Sequence, residues 1–170
     1  TGVLALCTLA AWLLARVLDG LSLGDATARS LGLPLGPKRA ALVVLMDRYL
    51  RALFEPCVTL LEVHKLAYFM QEAGLAMKLS FARGHYGPYA ENLRHVLRER
   101  EGYHTAGSGD GGDQPAKPIE IVSGTLEQAE PMVEGDADTL AAFKRIEELV
   151  EGFETPVGLE LLATTHWAVT

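Results

Sequence analysis

The sequence predicts a mainly helical domain with a small β element, an α+β fold with one short, two-stranded, hairpin-like pairing. Three observations predict it. Apolar residues recur at i, i+3, i+4 spacing through most of residues 38–165. Strict apolar/polar alternation is confined to two short runs, "MKLSFAR" (77–83) and "IEIV" (119–122). Start and stop residues punctuate the periodic segments at the places a helix needs them.

The first predicted helix of this domain covers 38–54. Pro37 opens it, Ala41, Leu42, Leu45, Met46, Tyr49, Leu50 and Leu53 face inward, and Pro56 ends it. The second covers 60–73. Thr59 and Glu62 form a capping box, in which the hydroxyl accepts from an early N–H and the carboxylate reaches back. Gly74 is its natural left-handed stop. A strand over 77–83 and a tight turn at "GHYGPY" lead into a third helix from about Tyr89 to Glu101, stopped by Gly102. A polar, glycine-rich loop spans 106–118 and gives way to the strand at 119–122, which is expected to pair with the first strand. A weaker helix runs from Thr125 to Met132, interrupted at Pro131. Asp136 or Asp138 caps the next, with Leu140, Phe143, Ile146, Leu149 and Val150 inward. Thr155-Pro156 launches the last, through about Thr165.

Ahead of this domain, "VLALCTLAAWLLARVL" (3–18) is the most apolar run. It is shorter than the ~20 residues of a spanning helix and is interrupted by Arg16. Residues 19–38 are glycine- and proline-rich. The expected division is therefore 1–36, a hydrophobic segment and linker, and 37–170, the domain. Cys7 and Cys57 offer neither a disulfide framework nor metal spacing, which suits a reducing cytoplasm. The net charge of −7 is unevenly spread. Residues 1–100 hold 12 Lys/Arg against 8 Asp/Glu, net +4, whereas 101–170 hold 3 against 14, net −11. The acidic half repels phosphate, so direct nucleic-acid binding is not expected there, and a basic protein partner is.

Most chemical motifs fail on context. "GSGDGG" (107–112) matches G-x-G-x-x-G but is followed by two prolines and a strand, not by a helix N-terminus. His64, His85, His95, His104 and His166 form no zinc pattern, and there is no nucleophile elbow. His85 sits in an aromatic turn, where a hydrogen-bonded corner is commoner than a general base. Tyr86 and Tyr89 have the faces to stack bases, but nearby Arg94 and Arg98 alternate with glutamates, as a solvated helix face does. Gly87-Pro88 fits a tight turn, with Tyr86 and Tyr89 expected to anchor it. Glu147, Glu148, Glu151, Glu154 and Glu160 crowd one stretch without accompanying basic residues, which reads first as a charged surface.

Three blocks in order, "LLEVHKLAYFMQEAG" (60–74), "LSFARGHYGPYAENLRHVL" (79–97) and "EGFETPVGLELLATTHW" (151–167), resemble the carboxy-terminal domain of DarG antitoxins. The first two are also similar, more distantly, to the SocA-like (Panacea) antitoxin domain. The resemblance covers about residues 37–167 and implies an antitoxin domain at 37–170 that stops short of the family's usual end. In that family a macrodomain removes ADP-ribose from thymidine in DNA, and this second domain binds the DarT toxin, a DNA ADP-ribosyltransferase. The resemblance thus implies a protein toxin as partner and no enzyme activity in this chain, since the macrodomain loops are absent; no cofactor, metal or membrane is expected. It makes His64, Lys65, Tyr68, His85, Tyr86, Gly87, Pro88 and Tyr89 family-motif and candidate interface residues. Asp110, Asp113, Glu151, Glu154 and Glu160 are candidate toxin-binding acids, mimicking DNA phosphates. Two other readings stay open: a Panacea-type antitoxin or adaptor with another partner, and a hydrolase using His85 and a carboxylate.

Overall fold

The computed structural model describes residues 35–98, 105–106 and 114–170, and Leu35–Thr170 form one compact unit. The apolar run at 3–18, the linker up to residue 34, and the loop carrying Asp110 and Asp113 lie outside the described residues. The order is α1 (Pro37–Leu53), β1 (Val58–Thr59), α2 (Leu60–Glu72), β2 (Phe81–Gly84), β3 (Gly87–Ala90), α3 (Glu91–Arg98), β4 (Thr105–Ala106), β5 (Pro118–Ile121), α4 (Thr125–Glu134), α5 (Ala137–Val150) and α6 (Pro156–Val169). The α+β class is as the sequence implies.

α2 is the hub. Ten of its residues, Leu60 and Glu62 through Met70, are buried, so no face is left to solvent. It packs against α1, α5, α6 and β3, while α1 lies chiefly along α4. Its start is the predicted capping box: Glu62 N donates to Thr59 Oγ1 at 3.3 Å, and Thr59 N donates to Glu62 Oε2 at 2.7 Å. The other carboxylate oxygen accepts from the buried Tyr49 hydroxyl of α1 at 2.8 Å, so the cap also staples two helices. Its end is a Schellman turn, with Leu75 N on Met70 O and Gly74 N on Gln71 O, both 3.0 Å, and Gly74 at φ 101°.

The strands depart from expectation. Residues 77–80 are not a strand. Two side-chain amides hold them instead. Gln71 pairs with both main-chain groups of Leu79, and Asn92 bonds Ser80 N and Lys78 O. β2 begins at Phe81 and pairs with β3, Phe81↔Ala90 to Gly84↔Gly87, a segment assigned from sequence to turn and helix. β5 does not pair with this hairpin. It lies between β1 and β4, with Val58↔Ile119 and Thr105↔Ile121 in register.

α4 passes through Pro131 to Glu134 rather than breaking there. The lost N–H leaves Glu127 O without its helical donor, but Ala129 and Val133 are buried, and that packing outweighs the defect. In α5, Asp136 is the cap, accepting from Asp138 N at 3.2 Å and Thr139 Oγ1 at 2.7 Å. The buried stripe is Thr139, Ala142, Phe143, Ile146 and Val150. Leu140 and Leu149, expected inside, flank it and are 38% and 39% exposed. α6 starts as predicted, with Thr155 Oγ1 accepting from Gly158 N at 3.1 Å, and runs four residues beyond Thr165 to Val169.

Candidate functional site

The "GHYGPY" stretch is the tip of the β2–β3 hairpin. His85 and Tyr86 form the turn, and Gly87 closes it at φ 87°, a left-handed conformation that glycine adopts freely. The tip is clamped on two sides. A Cβ on Gly87 would lie 2.3 Å from Thr164 Oγ1 of α6, so the strand touches that helix through bare backbone. From α2, the Lys65 ammonium donates to Tyr86 O and, at 3.0 Å, to Pro88 O. Beside it His64 Nδ1 accepts from Ala90 N at 3.4 Å, and its ring stacks on Tyr89 with centroids 4.4 Å apart.

Lys65 is 2% exposed. Burial lowers its pKa to about 8, with the Glu160 carboxylate of α6 pulling the other way. It therefore stays charged at pH 7 only because carbonyl dipoles and a nearby carboxylate replace its water. Between α2 and the hairpin lies a cleft of about 280 Å³. Leu60, Leu61, His64 and Lys65 form one wall, and Gly84–Gly87 with Tyr89 the other, with Pro115 alongside.

A second concavity, about 490 Å³, lies between α1 and the end of α5. Leu45, Ala52, Leu66, Ile146 and Val150 line it with Tyr49, and Arg48 together with Glu147, Glu148, Glu151 and Glu154 surround it. Glu147 pairs with Arg48 at 2.8 Å, and Glu148 approaches Lys144 at 3.8 Å. Glu151 and Glu154 have no ion pair among the described residues. The Gly152 N–H, 2.8 Å from Glu154 Oε1, holds that carboxyl below its ordinary pKa, so it is ionised at neutral pH.

The structure thus sorts the sequence candidates. His64, Lys65, His85, Tyr86, Gly87 and Tyr89 meet around one cleft, and Pro88 supplies a carbonyl to it. Tyr68 does not join them. It is 1% exposed, its phenol lies 2.7 Å from His166 Nδ1, and it anchors α6 through ring contacts with His166 and Trp167. Tyr86 does not anchor the turn, because it is 44% exposed. Glu151 and Glu154 share the acidic groove, while Glu160 belongs to the Lys65 neighbourhood. Leu60, Leu61 and Pro115 were missed as cleft residues. Leu61 falls outside the inward stripe of α2, and that out-of-phase leucine was the available signal. Among the described residues no three His, Cys, Asp or Glu side chains converge as a metal site, and no helix is long and apolar enough to cross a membrane.

No family model matches the chain. A Thermus aquaticus protein named DNA ADP-ribosyl glycohydrolase is 50% identical over 135 residues, 79% of this chain and 36% of its own length. Proteins of the same name from Mycobacterium bovis and Mycobacterium tuberculosis are each 38% identical over 151 residues, 82% of this chain and 43% of theirs. The chain spans less than half the length of these curated relatives. The expectation of no enzyme activity in this chain is corrected by them: the name they carry is that of an enzyme activity. Over about four fifths of its length, the chain is related to part of proteins named DNA ADP-ribosyl glycohydrolase.

Proposed function

We propose that this chain is the toxin-binding portion of a DarG-type DNA ADP-ribosyl glycohydrolase, and that it holds a DNA ADP-ribosyltransferase toxin through the acidic groove. The observation that carries this is the gathering of Glu147, Glu148, Glu151 and Glu154 around one apolar-floored concavity. A transferase that takes DNA needs a basic, ring-lined channel. Carboxylates around an apolar floor complement such a channel in both charge and surface, and Glu151 and Glu154 are not neutralised by a partner within the described fold. The test is titration calorimetry of the purified chain with the toxin at several salt concentrations. Glu151→Lys with Glu154→Lys is expected to raise Kd by roughly tenfold or more and to flatten its salt dependence. Unchanged binding in the double variant would remove the groove from the interface.

The relatives' name favours a second reading, in which residues of this chain take part in the hydrolysis itself. His85 at the hairpin tip is then the residue to test. Release of ADP-ribose from modified DNA by the chain, lost in His85→Ala, supports it. No release counts against it and leaves the toxin-binding reading standing.

A further inference from the structure

We propose that the cleft between α2 and the β2–β3 hairpin is a binding site for one planar aromatic ring that carries a carbonyl or carboxylate oxygen. The site is distinct from the acidic groove and its occupant is of opposite character. Leu60, Leu61 and His64 of α2 form one wall and Tyr86 and Tyr89 of the hairpin the other, with Pro115 alongside, and the His64 and Tyr89 rings stack where the two walls meet. Such walls favour a flat apolar body. The volume, about 280 Å³, is at the lower end of the ~300–1,000 Å³ range of small-molecule pockets, and it holds a single ring with room to spare.

The polar requirement comes from Lys65. An ammonium has three donors. Two are spent on Tyr86 O and Pro88 O, and the third has no protein acceptor among the described residues. A buried donor of this kind favours a ligand oxygen strongly, because leaving it bare is costly. The clamp on the hairpin and the ligand contact also separate chemically. A neutral amine keeps two hydrogens, enough for both carbonyls, but has none left for a ligand oxygen. The charged or titratable groups facing Lys65 are His64 on its own helix, His85, Tyr86 and Tyr89 on the hairpin, and Glu160 on α6.

The experiment is an NMR titration of the full chain with nicotinamide, nicotinate, thymidine and a short oligothymidylate, with pyridine as the ring lacking the oxygen. The expected result is saturable shifts of the Leu61, Tyr86 and His85 signals with at least one oxygen-bearing ring, and at least ~10-fold weaker binding of pyridine. Affinity should fall above about pH 8 while the hairpin amide signals stay in place. Leu61→Trp, which fills the cleft from its half-buried rim and leaves the Lys65 side chain itself in place, should lower affinity ~10-fold or more. Tighter binding of the oligothymidylate than of thymidine identifies a base presented by a strand, and equal or weaker binding a free ring. Saturation by none of these probes overturns the proposal, as does binding that is indifferent to Leu61→Trp.

Discussion

Gly87→Ala isolates the contact that seats the hairpin on α6. Two separate costs are expected. The residue sits at φ 87°, where an L side chain costs about 1–2 kcal/mol relative to glycine. The new methyl would also lie 2.3 Å from Thr164 Oγ1 and 3.2 Å from its Cβ. Thr164 cannot easily swing aside, because its hydroxyl donates to Glu160 O at 2.7 Å within α6. Forcing the two elements apart adds roughly 1–3 kcal/mol, the usual range for overpacking. The sum is a loss of about 2–5 kcal/mol, to be read from urea unfolding monitored by far-UV circular dichroism, with m unchanged. Adding Thr164→Ala removes the closest atom, so the double variant should recover about 1–2 kcal/mol and retain the φ penalty. A loss below ~0.5 kcal/mol, or no recovery in the double variant, would refute the contact.

Other expectations follow from named contacts. Thr59→Ala removes a capping acceptor and one anchor of Glu62, and should cost about 1–2 kcal/mol in the same unfolding assay. Pro131→Ala restores a donor for Glu127 O on an exposed helix face and should raise stability by ~1 kcal/mol or more. Phe54 is 96% exposed at φ 57°, so Phe54→Gly should stabilise by about 1 kcal/mol, because it relieves the backbone and sacrifices no packing. The pKa of Lys65 is lowered from 10.5 to about 8 in the fold. Between those values the unfolded chain binds more protons, so stability from this residue rises with pH across that window. The difference between the pH–stability curves of wild type and Lys65→Met should show that rise, and a flat difference curve would contradict it.

The sequence made the helices legible because their ends are chemically local. The Thr59/Glu62 box, Gly74, Asp136 and Thr155-Pro156 all act within four residues of themselves. The strands were not legible, because β1 and β4 are two residues each and take their form from β5, some sixty residues along from β1. Such pairings are set by tertiary context rather than by alternation. The same holds for the cleft. Lys65 on a helix is expected in solvent, and what buries it is a turn 21 residues later whose carbonyls take the place of water. Leu140 and Leu149 failed for a simpler reason: a stripe one residue narrower than their spacing suffices to cover the core.

The hub position of α2 has a consequence for the way the chain becomes a fold. Tyr68 and His166 are 98 residues apart and meet directly, so the side of α2 that faces α6 stays uncovered until the last helix arrives. During synthesis, the faces of Tyr68 and Phe69 that His166 and Trp167 cover remain wetted until α6 is made. Closing so long a loop is slow, and the exposed aromatic surface is the kind that associates before it folds. Completion of this unit is therefore expected only when α6 docks, and a chain released before Pro156 is expected to be prone to aggregation or proteolysis.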